Sequence, residues 1–159
     1  MIEQVCLNEL FLDSAKEIFE TMIFMDMLET DKPEAGMQDE AVLGSITFKG
    51  DMEGCLSICC EKKCALAITM NMLGFDAEEG ITDEDMCDAV GEVVNMIMGG
   101  MKRRLHETCS NIELSIPLVV KGRQLKNDLG EGTQAAIAHV LIEDEHPAEL
   151  SFLYRDKSK

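Results

Sequence analysis

The chain has 159 residues, with 14 basic against 31 acidic side chains and a formal net charge of -17, a balance that argues against neutralising nucleic-acid phosphates or sitting on an anionic membrane. The length suits one domain over residues 1–159, no apolar run approaches the ~20 residues needed to span a bilayer, and the N-terminal MIEQVCLNEL has neither a basic region nor a cleavage site, so a single cytoplasmic domain is expected. Seven cysteines without regular spacing fit reduced thiols, and 12 Met with one Tyr and no Trp predict a soft, aliphatic core.

In chain order, Phe11, Ala15, Ile18, Phe19, Met22 and Met25 recur at helical intervals and predict an amphipathic helix from Asn8 to about Met27. Glu29 to Glu40, with Pro33 and Gly36 among its acids, reads as a solvated connection. Val42 to Phe48 alternates, KGDMEG supplies turn residues and Cys55 to Cys59 resumes, which predicts an antiparallel hairpin. Lys62 to Leu73 reads as a helix burying Ala65, Ala67, Ile68 and Leu73, and FDAEEG leads from it into the longest helical pattern, Asp83 to Leu105. Glu113 to Lys121, Ala135 to Ile142 and Ala148 to Arg155 are strand-like, separated by GRQLKNDLGEGT and EDEHP. This order predicts an α/β (α+β) sandwich, a mostly antiparallel sheet packed against helices; hairpins in place of βαβ crossovers argue against a doubly wound nucleotide-binding fold.

The helix at Asp83 to Leu105 carries the unusual pattern. Thr82 followed by Asp85 predicts an N-cap with an acidic first turn, and Lys102, Arg103 and Arg104 suit the negative end of the helix dipole. At about 100° per residue, Met86, Val90, Val93, Val94, Ile97 and Met101 form a core face. Opposite them run Asp88, Glu92, Asn95, Gly99 and Lys102, each three or four residues from the next. A solvated face needs no Asn and no Gly99-Gly100 pair, each Gly costing about 1 kcal/mol against Ala. Two readings follow: a glycine that admits a close neighbour beside an ordinary surface acid, or a flat docking face from which one carboxylate and one amide project.

Asp88-x3-Glu92-x2-Asn95 within DAVGEVVNMIMGG, followed by Pro117 in SIPLVVKGRQLK, resembles the CheC/CheX/FliY family of chemotaxis phosphatases, and most of all its CheX branch. The resemblance implies hydrolysis of the phosphoaspartate on a CheY-like response regulator. Glu92 and Asn95 would be the catalytic pair, and Asp88, Gly99 and Lys102 would dock the partner. It also implies a homodimer, for which the terminal AELSFLYR run offers a strand edge. No cofactor is expected in this chain, since the Mg2+ would belong to the regulator. The family's pseudo-twofold repeat of helix plus strand hairpin is echoed when Asp13, Glu17 and Glu20 are set over Asp88, Glu92 and Asn95, with Glu20 in place of the amide. An alternative is a non-catalytic module of the same fold that binds a receiver domain or another signalling partner.

A further alternative is a metal or redox sensor built on Cys55, Cys59, Cys60 and Cys64. Their C-x3-C-C-x3-C spacing lacks a CxxC knuckle, and strand alternation sends the first three to different faces. His106, His139 and His146 form no triad or ligand pair, the glycines at 122, 130 and 132 match no phosphate-cradling loop, and Pro117 by itself reads as a strand-starting proline on an edge.

Overall fold

The computed structural model describes residues 4–31, 40–123, 125 and 129–156. Helix α1 (Gln4–Ile18) continues into one π-helical turn (Phe19–Ile23) and stops at Phe24, whose left-handed backbone lets the Met25 N–H donate to the Phe19 carbonyl at 3.0 Å. The predicted helix therefore ends before Met27, and Met27–Glu29 is instead a short strand, β1. Met25 and Met27 are buried all the same, so apolar spacing could not separate helix from strand here. The wider π turn also throws Met22 off the buried stripe, where Ile23 takes its place. Of the loop expected at Glu29 to Glu40, Glu29 belongs to β1, and residues 32–39 lie outside the described residues.

The predicted hairpin is β2 (Ala41–Gly50) and β3 (Met52–Glu61), longer than expected because most of KGDMEG extends the two strands, pairing outward to neighbouring strands. Helix α2 (Lys62–Leu73) buries Ala65 and Ile68 but leaves Ala67 partly covered and Leu73 exposed, since Leu73 is the last helical residue before a left-handed Gly74. Helix α3 (Asp83–Leu105) has the expected bounds. The expected strand at Glu113 to Lys121 is two pieces, β4 (Ile112–Leu114) and β5 (Leu118–Gly122), interrupted at residues 115–117 and both paired to β2. Pro117, with no N–H to give a ladder, sits at that interruption. Strands β6 (Gln134–Ile142) and β7 (His146–Asp156) close the chain.

All pairings are antiparallel, in the order β1-β6-β7-β3-β2-β4, with β5 also on β2. The strand run Ala148 to Arg155 is thus central, flanked by β3 and β6, and cannot be the free edge expected of it. One face of the sheet, with Val42, Ile46, Leu56, Ile58, Leu150, Phe152 and Val140, shares a core with α1, α2 and α3. The other carries a small cluster, Ala41, Leu43 and Cys59 under Leu125. Among the described residues no helix is long and apolar enough to cross a membrane.

The order is unchanged when the halves α1-β1-β2-β3 and α3-β4-β6-β7 are exchanged. At the centre Ser57 faces Ser151 across β3 and β7, their hydroxyls hydrogen-bonded and buried. Followed outward through the registers, the exchange carries Met27–Glu29 of β1 onto Ile112–Leu114 of β4.

Candidate functional site

Helix α3 is fixed at three levels. At its start Thr82 accepts from the Asp85 N–H and the Asp85 carboxylate accepts from the Thr82 N–H, both at 3.0 Å, so the predicted cap is a full capping box. Asp83 pairs with Lys121 of β5 at 2.7 Å and with Lys62 of α2 at 4.0 Å. At its end Arg104 donates to the Ser14 hydroxyl at 3.1 Å and pairs with the Glu17 carboxylate of α1. Between these ends Met86, Val90, Val93, Val94, Ile97 and Met101 are all buried against the sheet and α1, as their spacing predicts.

Three glycines set how closely its neighbours approach. A Cβ on Gly44 of β2 would lie 2.6 Å from Val90 Cγ1, so the missing side chain is what seats α3 on the sheet. A Cβ on Gly91 would meet Pro117 Cβ at 3.5 Å and Val119 Cγ2 at 3.7 Å. Pro117, marked in the sequence only by resemblance, therefore stands against α3 one residue before Glu92. Gly100 faces Ser14 of α1 at 3.6 Å. At Gly99, by contrast, a Cβ would meet only the tip of Arg103, at 4.0 Å. Of the two explanations for the glycine pair, close packing accounts for Gly100 and leaves Gly99 open.

The stripe itself is where the spacing put it. Asp88, Glu92 and Lys102 are exposed, and Asn95 and Gly99 are partly covered by their neighbours. No hydrogen bond or ion pair engages the Glu92 or Asn95 side chain among the described residues. A carboxylate and an amide one turn apart thus project from a helix whose ends cannot swing. Spacing missed Arg103, which at about 100° per residue lies only about 20° from Glu92 around the helix.

The first half offers no second pair. Advancing the strand displacement by one residue sets Ser14 on Gly100, its own contact across the seam, and sets Phe11, Ala15 and Phe19 on Ile97, Met101 and Leu105, all but the Gly100 position apolar and buried. In that register Glu92 and Asn95 correspond to Cys6 and Glu9. The alignment of Glu17 and Glu20 with Glu92 and Asn95 is about three turns out, a slip that preserves the apolar phase and so escapes a reading by periodicity. Glu17 is instead a tether to α3.

The hydrogen bond and charge of Arg104 hold the Glu17 carboxyl below its ordinary range, and Lys121 does the same for Asp83. Both folded-state values are depressed, so each tether stabilises the fold above the unfolded carboxylate range and is lost as pH falls through the folded value. The melting temperature of Glu17→Gln should accordingly lie below that of the wild type at neutral pH, and the gap should close as pH falls through the depressed value of the Glu17 carboxyl. A gap that persists in acid would show that the side chain acts through something other than its charge.

The cysteines separate as alternation predicts. Cys55 and Cys59 lie on the face away from the helices, and Cys60 lies on the helix side with Cys64 of α2. Burial, then the neighbouring Cys60 and Glu149, pushes the Cys59 thiol up to about 11, and the hydrogen bond with Cys64 together with burial holds Cys60 well above its usual value. Among the described residues no group of three or more His, Cys, Asp or Glu is placed to hold a metal ion. His106 caps α3, His139 lies on β6 and His146 is buried at the start of β7.

The family described as chemotaxis phosphatase CheX matches residues 42–146, which include all of α3, β4 and β5. The CheY-P phosphatase CheX of Thermotoga maritima is 32% identical over 81 residues, 51% of this chain and 52% of that protein. The match thus spans about half the length of that relative. The crystal structure of the chemotaxis protein CheX from Vibrio vulnificus superposes with a TM-score of 0.79 at 27% identity, over 98% of this chain and 100% of the other. CheX in the CheX-CheY-BeF3-Mg2+ complex from Borrelia burgdorferi shares the fold at a TM-score of 0.73 and 23% identity, over 98% and 99% of the two chains. Fold, half-exchange symmetry and the matched span together place this chain in the CheX family of chemotaxis phosphatases.

Proposed function

We propose that the chain hydrolyses the phosphoaspartate of a CheY-like response regulator and so ends a chemotaxis or other two-component signal. The observation that carries this reading is the pair on α3: Glu92 and Asn95, unengaged among the described residues, on one face of a helix clamped at both ends. An acyl phosphate is already reactive, and speeding its hydrolysis by two or three decades takes only about 3–4 kcal/mol, within reach of positioning a water. Asn95 offers a donor and an acceptor and keeps both at any physiological pH, so it can hold a water in line with the scissile P–O bond. The water oxygen bonds to phosphorus, the bond to the aspartyl oxygen breaks, and the aspartate carboxylate and inorganic phosphate leave. Glu92, one turn earlier, would pair with a lysine beside the phosphorylated aspartate and set the amide's position. The Mg2+ belongs to the regulator, where it offsets the charge on the phosphoryl oxygens.

The direct test is release of inorganic phosphate from the host's own phosphorylated receiver domains with and without this protein. Acceleration supports the phosphatase, and binding without acceleration would leave a docking module. A homodimer is part of the same proposal. With β7 central, the sheet's edges are β1 and the β4-β5 side, and the pairing is placed on the latter, where Leu118 and Val120 are exposed. Sedimentation at micromolar concentration should give twice the 17.6 kDa chain mass, and a species of that single mass would remove the dimer.

A further inference from the structure

The glycine pair at 99 and 100 has a counterpart four residues on. A Cβ at Gly99 would meet Arg103 Nη1 at 4.0 Å, and one at Gly100 would meet Arg104 Nη1 at 3.3 Å and Arg103 Nη2 at 3.7 Å. Both guanidinium groups therefore lie back along the helix over positions without side chains. Arg104 turns toward α1, where Ser14 and Glu17 receive it. Arg103 lies between the two glycine positions, and among the described residues its guanidinium has no hydrogen bond or ion pair. Glu17 feels its charge only as the weakest of several influences.

Among the other described cations Lys49 pairs with Glu113, Lys62 and Lys121 with Asp83, Lys63 with Glu145 and Arg104 with Glu17, and Arg155 is hydrogen-bonded, whereas Lys16, Lys102 and Arg123 have no ion pair there. Of the guanidinium groups with no partner among the described residues, Arg103 is the one on α3, lying one turn beyond Asn95 and rooted near the meridian of Glu92. Its fork of N–H donors suits two oxygens of one planar or tetrahedral anion. Among the described residues only the tip of Arg103 comes within 4 Å of a Cβ at Gly99, and that bareness leaves the fork accessible from the docking side. We propose that Arg103 is the oxyanion-binding residue of this face, receiving a phosphoryl or carboxylate group of the receiver while Glu92 and Asn95 address the phosphorylated aspartate. The proposal rests on the phosphatase reading and names a third contact for it.

The test compares wild type, Arg103→Ala and Lys49→Ala for binding to the host's receiver domain, bare and loaded with beryllofluoride and Mg2+. Lys49 sits on the sheet face away from the helices, so its loss matches the charge change without touching the docking face. Arg103→Ala should weaken binding about tenfold or more, and Lys49→Ala should leave it near wild type. A loss confined to the beryllofluoride form assigns the oxyanion to the phosphoryl group, and an equal loss with the bare receiver assigns it to a receiver carboxylate. Equal behaviour of the two variants overturns the role of Arg103 even where wild type hydrolyses the phosphoaspartate. A wild type that neither binds nor hydrolyses removes the phosphatase reading, and Arg103 with it.

Discussion

Asn95→Ala should cut phosphate release from a phosphorylated receiver by about 100- to 1000-fold, which is the whole acceleration that positioning one water can supply. Asn95→Asp should be at least as damaging. It nearly keeps the volume, but it sets an anion beside the phosphoryl oxygens and loses the amide donor. A variant of Asp at this position with most of the activity would refute water positioning by a neutral amide. Glu92→Lys should act differently, raising the receiver concentration for half-saturation more than it lowers the maximal rate, because its proposed partner is a cation on the receiver. Since Asn95 and Glu92 are bonded to nothing else among the described residues, neither substitution should shift the melting temperature much. That keeps loss of activity separable from loss of fold.

Gly44→Ala is expected to destabilise the protein by about 1–3 kcal/mol, a large effect for a single added methyl. The new Cβ would stand 2.6 Å from Val90 Cγ1, and Val90 is itself buried, so its methyl has nowhere to rotate without displacing others. The relief available is for α3 to lift off β2, which moves Glu92 and Asn95 relative to Pro117. Phosphate release should therefore fall even under conditions where the variant is fully folded. Val90→Ala vacates the contested space, so the double substitution should cost less than the two single losses added together. Additive losses, seen in denaturant melts of the four proteins, would show that Gly44 and Val90 do not compete for one volume.

The sequence revealed α3 well because three independent signals agree there: the Thr82 and Asp85 cap, the apolar period and the basic last turn. Helix α2 and the β2-β3 hairpin were similarly legible. What failed is what tertiary contact decides. The π turn at Phe19–Ile23 leaves no trace in apolar spacing, and β1 is a strand only because β6 offers it a ladder. The central position of β7 was hidden for the same reason, since an apolar strand with charged flanks reads alike at an edge or between partners. At the site, the pattern named Glu92, Asn95 and Gly99 but passed over Arg103, whose proposed role depends on where its side chain lies. It also set Glu17 over Glu92, where the contact with Arg104 makes Glu17 part of the frame.

The exchange of halves described for the sheet means that neither half is a module. Among the described residues strand β1 pairs only with β6, from the other end of the chain, and β2 is bordered on its outer side by β4 and β5. The central seam, β3 against β7, joins residues such as Ser57 and Ser151 that are far apart in sequence. Each half thus lends its outermost strand to the other, and a ribosome must deliver nearly the whole chain before the sheet can close. Such non-local pairing makes for slow folding and rules out splitting the protein at the α2-α3 connection into two soluble pieces. It also means that Glu92 and Asn95, though carried by one helix, depend for their placement on strands made at both ends of synthesis.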